Sequence, residues 1–169
     1  LIGNYYDSEN EIDLEITNSM IIKKSTLKDT FNVKVLSEVE VLKGNTLVNT
    51  KTFEKTFVKK LNDTLFTNVL FKDTIFSINN ENVLKKMKGY YFLNIKHSEN
   101  NWVVKKLYLK NGLLNLNDIS TKEEIEMLEE ITETKKDSSE TFVIKPTKKQ
   151  FREFVKKNGF SKGEVYLKI

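Results

Sequence analysis

Gly89-Tyr-Tyr-Phe-Leu-Asn-Ile-Lys-His-Ser-Glu-Asn-Asn-Trp-Val-Val-Lys-Lys-Leu-Tyr-Leu109 decides the fold. It reads as a long β-hairpin. Tyr91, Leu93 and Ile95 alternate onto one face, Ser98 to Asn101 form a polar turn, and Trp102 starts the returning strand. The stretch holds the only Trp and the only His, Trp102 and His97. A Trp that starts a strand keeps one edge near solvent, so Trp102 is expected at the rim of the core, packed against neighbouring elements. This is a fold signal and not a chemical one.

Outward from the hairpin, strands are dense. Asn111-Gly112 is a tight-turn signal into Leu113–Leu116, so 89–97, 102–110 and 113–117 are expected as an antiparallel meander. Upstream, Ile12, Leu14 and Ile16 alternate with Asp13, Glu15 and Thr17, a half-buried strand. Phe31, Val33, Val35, Val39 and Val41 share odd parity and suggest one long strand, bent near Leu36-Ser37. Residues 50–62 stay ambiguous between strand and helix. Phe53, Phe57, Val58 and Leu61 fit helical spacing, while Thr and Val content leans to strand.

Lys72-Asp73 is read as a turn between strands Leu65–Phe71 and Thr74–Ile78. It echoes Lys28-Asp29-Thr30 and Asn62-Asp63-Thr64. Each is expected to be Asp-Thr turn chemistry rather than a repeated carboxylate site. Residues 79–88 leave room for one helical turn.

The pattern changes at Ser120. Ser120-Thr121-Lys122-Glu123 reads as a capping box opening an acidic helix with an Ile125, Leu128 and Ile131 stripe. A short strand is expected at Thr141–Ile144, ended by Pro146, the only proline. Thr147-Lys148-Lys149-Gln150 opens a basic helix stopped by Asn158-Gly159, with Phe160 folding back and a final strand over Glu164–Ile169. The expected fold is therefore a β-rich α+β domain. It has a curved antiparallel meander sheet or partly open barrel, one domain over 1–169, and two short helices confined to about 120–158.

Composition narrows the chemistry. The 169 residues are 38% hydrophobic and 31% charged, which suits a packed domain rather than a disordered chain. There is no alanine, and Arg152 is the only arginine. Codon bias in AT-rich coding accounts for the lysines as well as binding does. Nucleic-acid recognition favours the planar fork of Arg, so a net charge of +4 carried by lysines argues for a solvated surface. With no cysteine, thiol catalysis, disulfides and Cys-ligated zinc are excluded in this chain. No run of about 18 apolar residues exists to span a membrane as a helix. The chain begins at Leu1, which suits a removed signal segment and an engineered deletion equally.

Catalytic candidates are few. His97 beside Ser98 and Glu99 does not make a triad, since sequence neighbours on a strand point to opposite faces. Glu126 and Glu130 share a helix face, but a highly charged helix provides no burial to shift a carboxyl. Tyr5, Tyr6, Tyr90, Tyr91, Trp102 and Tyr108 could line a ligand cavity or a partner surface, or simply fill the core. No residue is singled out as catalytic, cofactor-binding or metal-ligating, and no cofactor is expected.

The order Gly89-Tyr-Tyr-Phe-Leu-Asn, then Asn101-Trp102-Val103-Val104, then Leu113-x-Asn-Leu with its capped acidic helix, resembles exported lipoproteins of the Bacteroidetes. So does Lys145-Pro-Thr-Lys-Lys-Gln-Phe151 running into Asn158-Gly159-Phe160. The resemblance covers about residues 85–169. It implies a removed signal peptide, a lipid-bearing Cys upstream of Leu1, and a periplasmic or outer-membrane-attached location. Gly3-x-Tyr5 resembles the Gly-x-Trp opening of lipocalins, with Tyr in place of Trp. The expected function is a non-enzymatic binding or structural protein of the cell envelope. The alternative is a lipocalin-like carrier of a small apolar ligand.

Overall fold

A computed structural model describes residues 1–99, 101–132 and 144–169. Residues 141–143 of the expected strand lie outside the described residues, as does Asn100. In chain order the elements are β1 (Gly3–Asp7), β2 (Ile12–Ile16), β3 (Met20–Asn32), β4 (Glu40–Lys43), β5 (Thr46–Asn49), β6 (Lys55–Leu61) and β7 (Thr64–Ser77). Then follow β8 (Val83–Met87), β9 (Tyr90–Lys96), β10 (Trp102–Lys110), β11 (Leu113–Asp118), α1 (Lys122–Thr132), α2 (Lys148–Lys156) and β12 (Lys162–Lys168). Short 3-10 turns occupy Val33–Val35 and Ile78–Asn80. The β-rich α+β expectation holds. The strands form one open antiparallel sheet in the order β4-β5-β6-β7-β3-β2-β1-β12-β11-β10-β9-β8.

The chain gathers into two compact units. One comprises Leu1–Lys23 with Thr74–Ile169, the other Lys24–Asp73. Strands β3 and β7 each contribute residues to both.

In the larger unit the hairpin forms as read, with Trp102 opposite Lys96 and Leu107 opposite Tyr91. Asn111 and Gly112 take left-handed φ values of 52° and 80°, the primed turn that joins β10 to β11 with the twist of the strands. Alternation then sends the two sides of β9 and β10 into different cores. Leu93 and Leu107 join Tyr5, Leu14, Leu114 and Tyr166 on one face. Phe92 and Val104 meet α1 and α2 on the other, in a cluster with Phe154 and Phe160. The rings there pack edge to face, Phe92 to Phe151 at 5.1 Å and Phe154 to Phe160 at 5.5 Å.

Helix α2 starts as expected. Thr147 Oγ1 accepts from the Gln150 amide, and Gln150 Oε1 accepts from the Thr147 amide. Asn158 turns left-handed at φ 69°, and Phe160 folds back to full burial. Helix α1 starts one residue later than read. Thr121, not Ser120, offers its hydroxyl to the Glu124 amide at 3.2 Å, and Glu124 reaches back to the amides of Ser120 and Thr121. Thr121→Ala is therefore expected to cost ~0.5–2 kcal/mol, the usual worth of a cap. Ser120→Ala should change little, because alanine keeps the only group of Ser120 seen to bond there, its N–H. Urea midpoints of the two variants check the order. The acidic and basic helices do touch. The ion pairs described on them are intrahelical, Lys122 with Glu126 at 3.3 Å and Lys157 with Glu153 at 3.5 Å.

In the smaller unit Leu47, Val58 and Leu65 are buried, with Phe31, Val33, Leu36 and Leu42 packed on them. Residues 55–61 are strand, which resolves the ambiguity of 50–62. The buried residue is Val58, while Phe53, Phe57 and Leu61 are exposed. The long strand proposed over Phe31–Val41 breaks instead. Asn32 Oδ1 accepts from the Lys34 amide at 2.9 Å and starts the 3-10 turn. Only one of the three Asp-Thr echoes is a turn. Asn62 adopts φ 54° and Asp63 follows it between β6 and β7. Lys28-Asp29-Thr30 and Lys72-Asp73-Thr74 lie inside continuous β3 and β7, so the hairpin predicted at 72–73 is absent. Strand pairing overrides local turn propensity there.

Two further readings are corrected. Trp102 is 44% exposed and packs against none of the core clusters, so its truncation should cost less than that of a core tryptophan. Of residues 79–88, only 79 and 80 belong to a helical turn, the 3-10 turn Ile78–Asn80, while 83–87 form β8. As the outermost strand of its sheet it carries Lys85 and Lys86 with no apolar alternation to reveal it.

Candidate functional site

One concave feature of the larger unit is an apolar pocket of about 260 Å³. Its floor is the core face of the sheet. Leu93 from β9, Leu107 from β10, Phe76 from β7 and Ile16 and Ile21 from β2 and β3 are all buried there. Its mouth carries Ile2, Ile78 and Leu84, each about half exposed. Tyr91 lines the wall, with the Lys86 ammonium 5.2 Å from its ring centre.

The walls are fixed by local hydrogen bonds. In the β2–β3 turn, Thr17 Oγ1 accepts from the amides of Ser19 at 3.3 Å and Met20 at 3.0 Å. The Ile78 amide donates to the Ser19 carbonyl at 2.9 Å and ties that turn to the end of β7. Asn82 holds the neighbouring segment. Its Nδ2 donates to the Ser77 carbonyl at 3.0 Å, and its Oδ1 accepts from the Lys96 amide at 2.8 Å. Buried Tyr5 donates its hydroxyl to the Leu1 carbonyl at 2.9 Å and fixes Leu1 beside the mouth. Burial raises the Tyr5 phenol above its ordinary value, so it stays a proton donor.

No side chain of Asp, Glu, Lys, Arg or His lines this pocket. Its chemistry is desolvation. It can shelter an apolar group from water and offers Thr17, Asn18, Ser19 and Tyr91 as polar contacts at the edge.

The side chains singled out in the sequence do not converge here. Of the six aromatics, only Tyr91 lines the pocket. Tyr90 and Tyr108 pack edge to face at 5.4 Å. His97 sits exposed in the β9–β10 turn beside a wide, shallow depression with Asn79, Glu81 and Lys96. Glu126 and Glu130 are exposed. Among the described residues no three His, Asp or Glu side chains group as a metal-ligand set, and no helix is long and apolar enough to cross a membrane.

Sequence reading missed the buried charged groups. Lys106 is 6% exposed, and its ammonium donates to the Gly159 carbonyl at 3.0 Å. It lies 5.2–5.6 Å from the ring centres of Tyr108, Tyr90 and Phe160. Burial lowers its pKa, and the charge of Glu124 partly opposes this. Glu124 is 3% exposed and accepts from the Ser161 amide at 2.6 Å besides those of Ser120 and Thr121. Burial pushes its carboxyl up, but these donors outweigh it and the net shift is downward. Buried Tyr166 donates to Glu164, which also takes the Lys23 ammonium, and burial and Glu164 drive its phenol upward. No buried side-chain N or O among the described residues lacks a partner, and these groups fasten neighbouring elements to one another. A periodic signal for them is absent: Glu124 is one of a run of glutamates, and Lys106 one of many lysines.

No protein-family model, curated protein or solved structure matches this chain.

Proposed function

We propose that the protein is a non-enzymatic binding protein of the cell envelope whose site is the apolar pocket of the larger unit. The observation that carries this reading is the lining. A buried floor of Phe76, Leu93 and Leu107 opens to solvent through a half-exposed apolar mouth. An apolar cavity of about 150 Å³ is enough to take benzene, so the pocket suits an apolar side chain or the end of an acyl chain. The exported, lipid-anchored setting belongs to the same proposal and is supported by the resemblance of residues 85–169 to exported lipoproteins.

A second reading, carriage of a small apolar ligand, is favoured by the same lining. Against it stands the volume of about 260 Å³, which falls below the usual range of ligand sites, about 300–1,000 Å³.

The test is titration with N-phenyl-1-naphthylamine, a neutral apolar fluorophore. Wild type should bind it with enhanced, blue-shifted emission. Leu84→Lys and Ile78→Lys, at the half-exposed mouth, should fold normally and weaken binding about tenfold or more, equivalent to ~1.4 kcal/mol. Equal affinity in all three proteins, or none in wild type, would sink the proposal. An apolar molecule extracted by solvent from protein purified in its own host would favour carriage.

A further inference from the structure

The smaller unit turns one sheet face to solvent that is apolar and basic together. Register fixes its membership. Val41 pairs with Val48, and Val48 with Lys55. Lys43 pairs with Thr46, and Thr46 with Phe57. Lys59 pairs with Phe66, and Leu61 with Thr64. Alternation along β7 adds Leu70. These residues lie opposite the buried Leu47, Val58 and Leu65.

Phe57 is 72% exposed and Leu61 61%, with Leu70 also above half. Large apolar side chains grouped on a face already backed by its own core mark a contact surface. Lys43, Lys55 and Lys59 stand among them, and none has an ion-pair partner among the described residues. No Asp or Glu occupies a register position on this face, since Glu40 lies on the opposite side of β4. Phe53, in the turn leading to β6, is 77% exposed at φ 61°, a backbone conformation that a bulky side chain adopts only at a cost.

We infer that this face docks on an anionic membrane surface. Charge complementarity selects the occupant. Face-to-face pairing with a second copy would set lysines against lysines with no carboxylate to answer them. Single-stranded nucleic acid stacks on aromatic platforms and is gripped by Arg, but here Val and Leu fill most of the apolar positions and no Arg is present. Phospholipid matches both properties. Phe57, Leu61 and Leu70 enter the boundary of the acyl region, while the lysine stems lie along it and their ammonium groups reach the phosphates.

The experiment is co-sedimentation of the full chain with phosphatidylcholine vesicles, with and without phosphatidylglycerol. Binding should require phosphatidylglycerol and fall steeply between 0.1 and 1 M salt, roughly as the Debye length shrinks from 10 to 3 Å. Phe57→Ser with Leu61→Ser, both at exposed positions, and separately Lys55→Glu with Lys59→Glu, should each weaken binding at least tenfold. Lys148→Glu with Lys149→Glu on α2 makes the same change of net charge elsewhere and should bind as wild type. Circular dichroism checks that all variants fold. Equal binding to neutral vesicles, equal loss in the α2 variant, or no loss in the two face variants would overturn the inference. So would a single-stranded oligonucleotide that binds this face more tightly than the vesicles do.

Discussion

Glu124→Ala is expected to lower stability by ~3–5 kcal/mol, the range for leaving a buried charge without its partner. Alanine would strip the acceptor from the amides of Ser120, Thr121 and Ser161 at once. It would also remove the charge that favours buried Lys106 in its protonated form. The start of α1 and the segment after α2 are both held by this one carboxylate, so both should loosen. Glu124→Gln keeps an acceptor and the shape and should fall between. The pH dependence distinguishes this from simple loss of packing. The folded-state pKa of Glu124 lies below its ordinary 4.5, so its stabilisation is complete above that value and is lost as pH falls through the folded-state pKa. Wild type should lose that increment in acid, and Glu124→Ala should not. Lys106 acts at the other end of the scale. Its folded-state pKa lies below the ordinary 10.5, so the unfolded chain holds more protons between the two values and stability rises with pH there. Lys106→Met should flatten that alkaline rise. Urea unfolding across pH measures both.

Gly163→Ala is the second large effect, at ~3 kcal/mol or more. Gly163 pairs with Asn117 where β12 meets β11. A Cβ there would stand 2.2 Å from the Leu116 carbonyl oxygen and 2.5 Å from Asn117 Cα. These are backbone atoms of a central strand and cannot rotate aside. Relief would require β12 to move away from β11, and Asn117 Nδ2 would lose its 2.8 Å bond to the Phe160 carbonyl. Gly112→Ala is the control: its Cβ meets nothing within 4 Å, and only its φ of 80° opposes the change. It should cost ~1–2 kcal/mol, about the penalty for placing a side chain in the left-handed region. A Gly163→Ala midpoint no lower than that of Gly112→Ala would refute the steric account.

Local signals served where one face of an element is buried and the other wet. The hairpin of β9 and β10, the Asn111-Gly112 turn and the Thr147 cap all follow from two- or four-residue rules that tertiary packing reinforces. The smaller unit was read less well for a physical reason. Phe53, Phe57 and Leu61 look like a buried stripe, yet they are exposed, and Val58 is the residue buried with Leu47 and Leu65. Apolar pattern marks burial only if apolar residues avoid water, and this face breaks that premise. Likewise Asp29 and Asp73 carry turn chemistry inside strands, because ladder bonds from distant residues outweigh a side-chain oxygen. The candidate pocket was not legible at all. Its floor is written as ordinary core residues, and its walls rest on hydrogen bonds of Thr17 and Asn82 that apolar periodicity does not mark.

An open sheet leaves two strands with unpaired N–H and C=O groups, and such rows recruit further strands. Here the outer strands are β4, only four residues long, and β8, which carries Lys85 and Lys86. A strand added to β4 would gain few ladder bonds. One added to β8 from a second copy would bring the same ammonium groups side by side. The lysines that hid β8 from sequence periodicity thus serve against fibre growth, and Lys85→Val with Lys86→Val would expose a five-residue apolar rim to edge-on self-assembly.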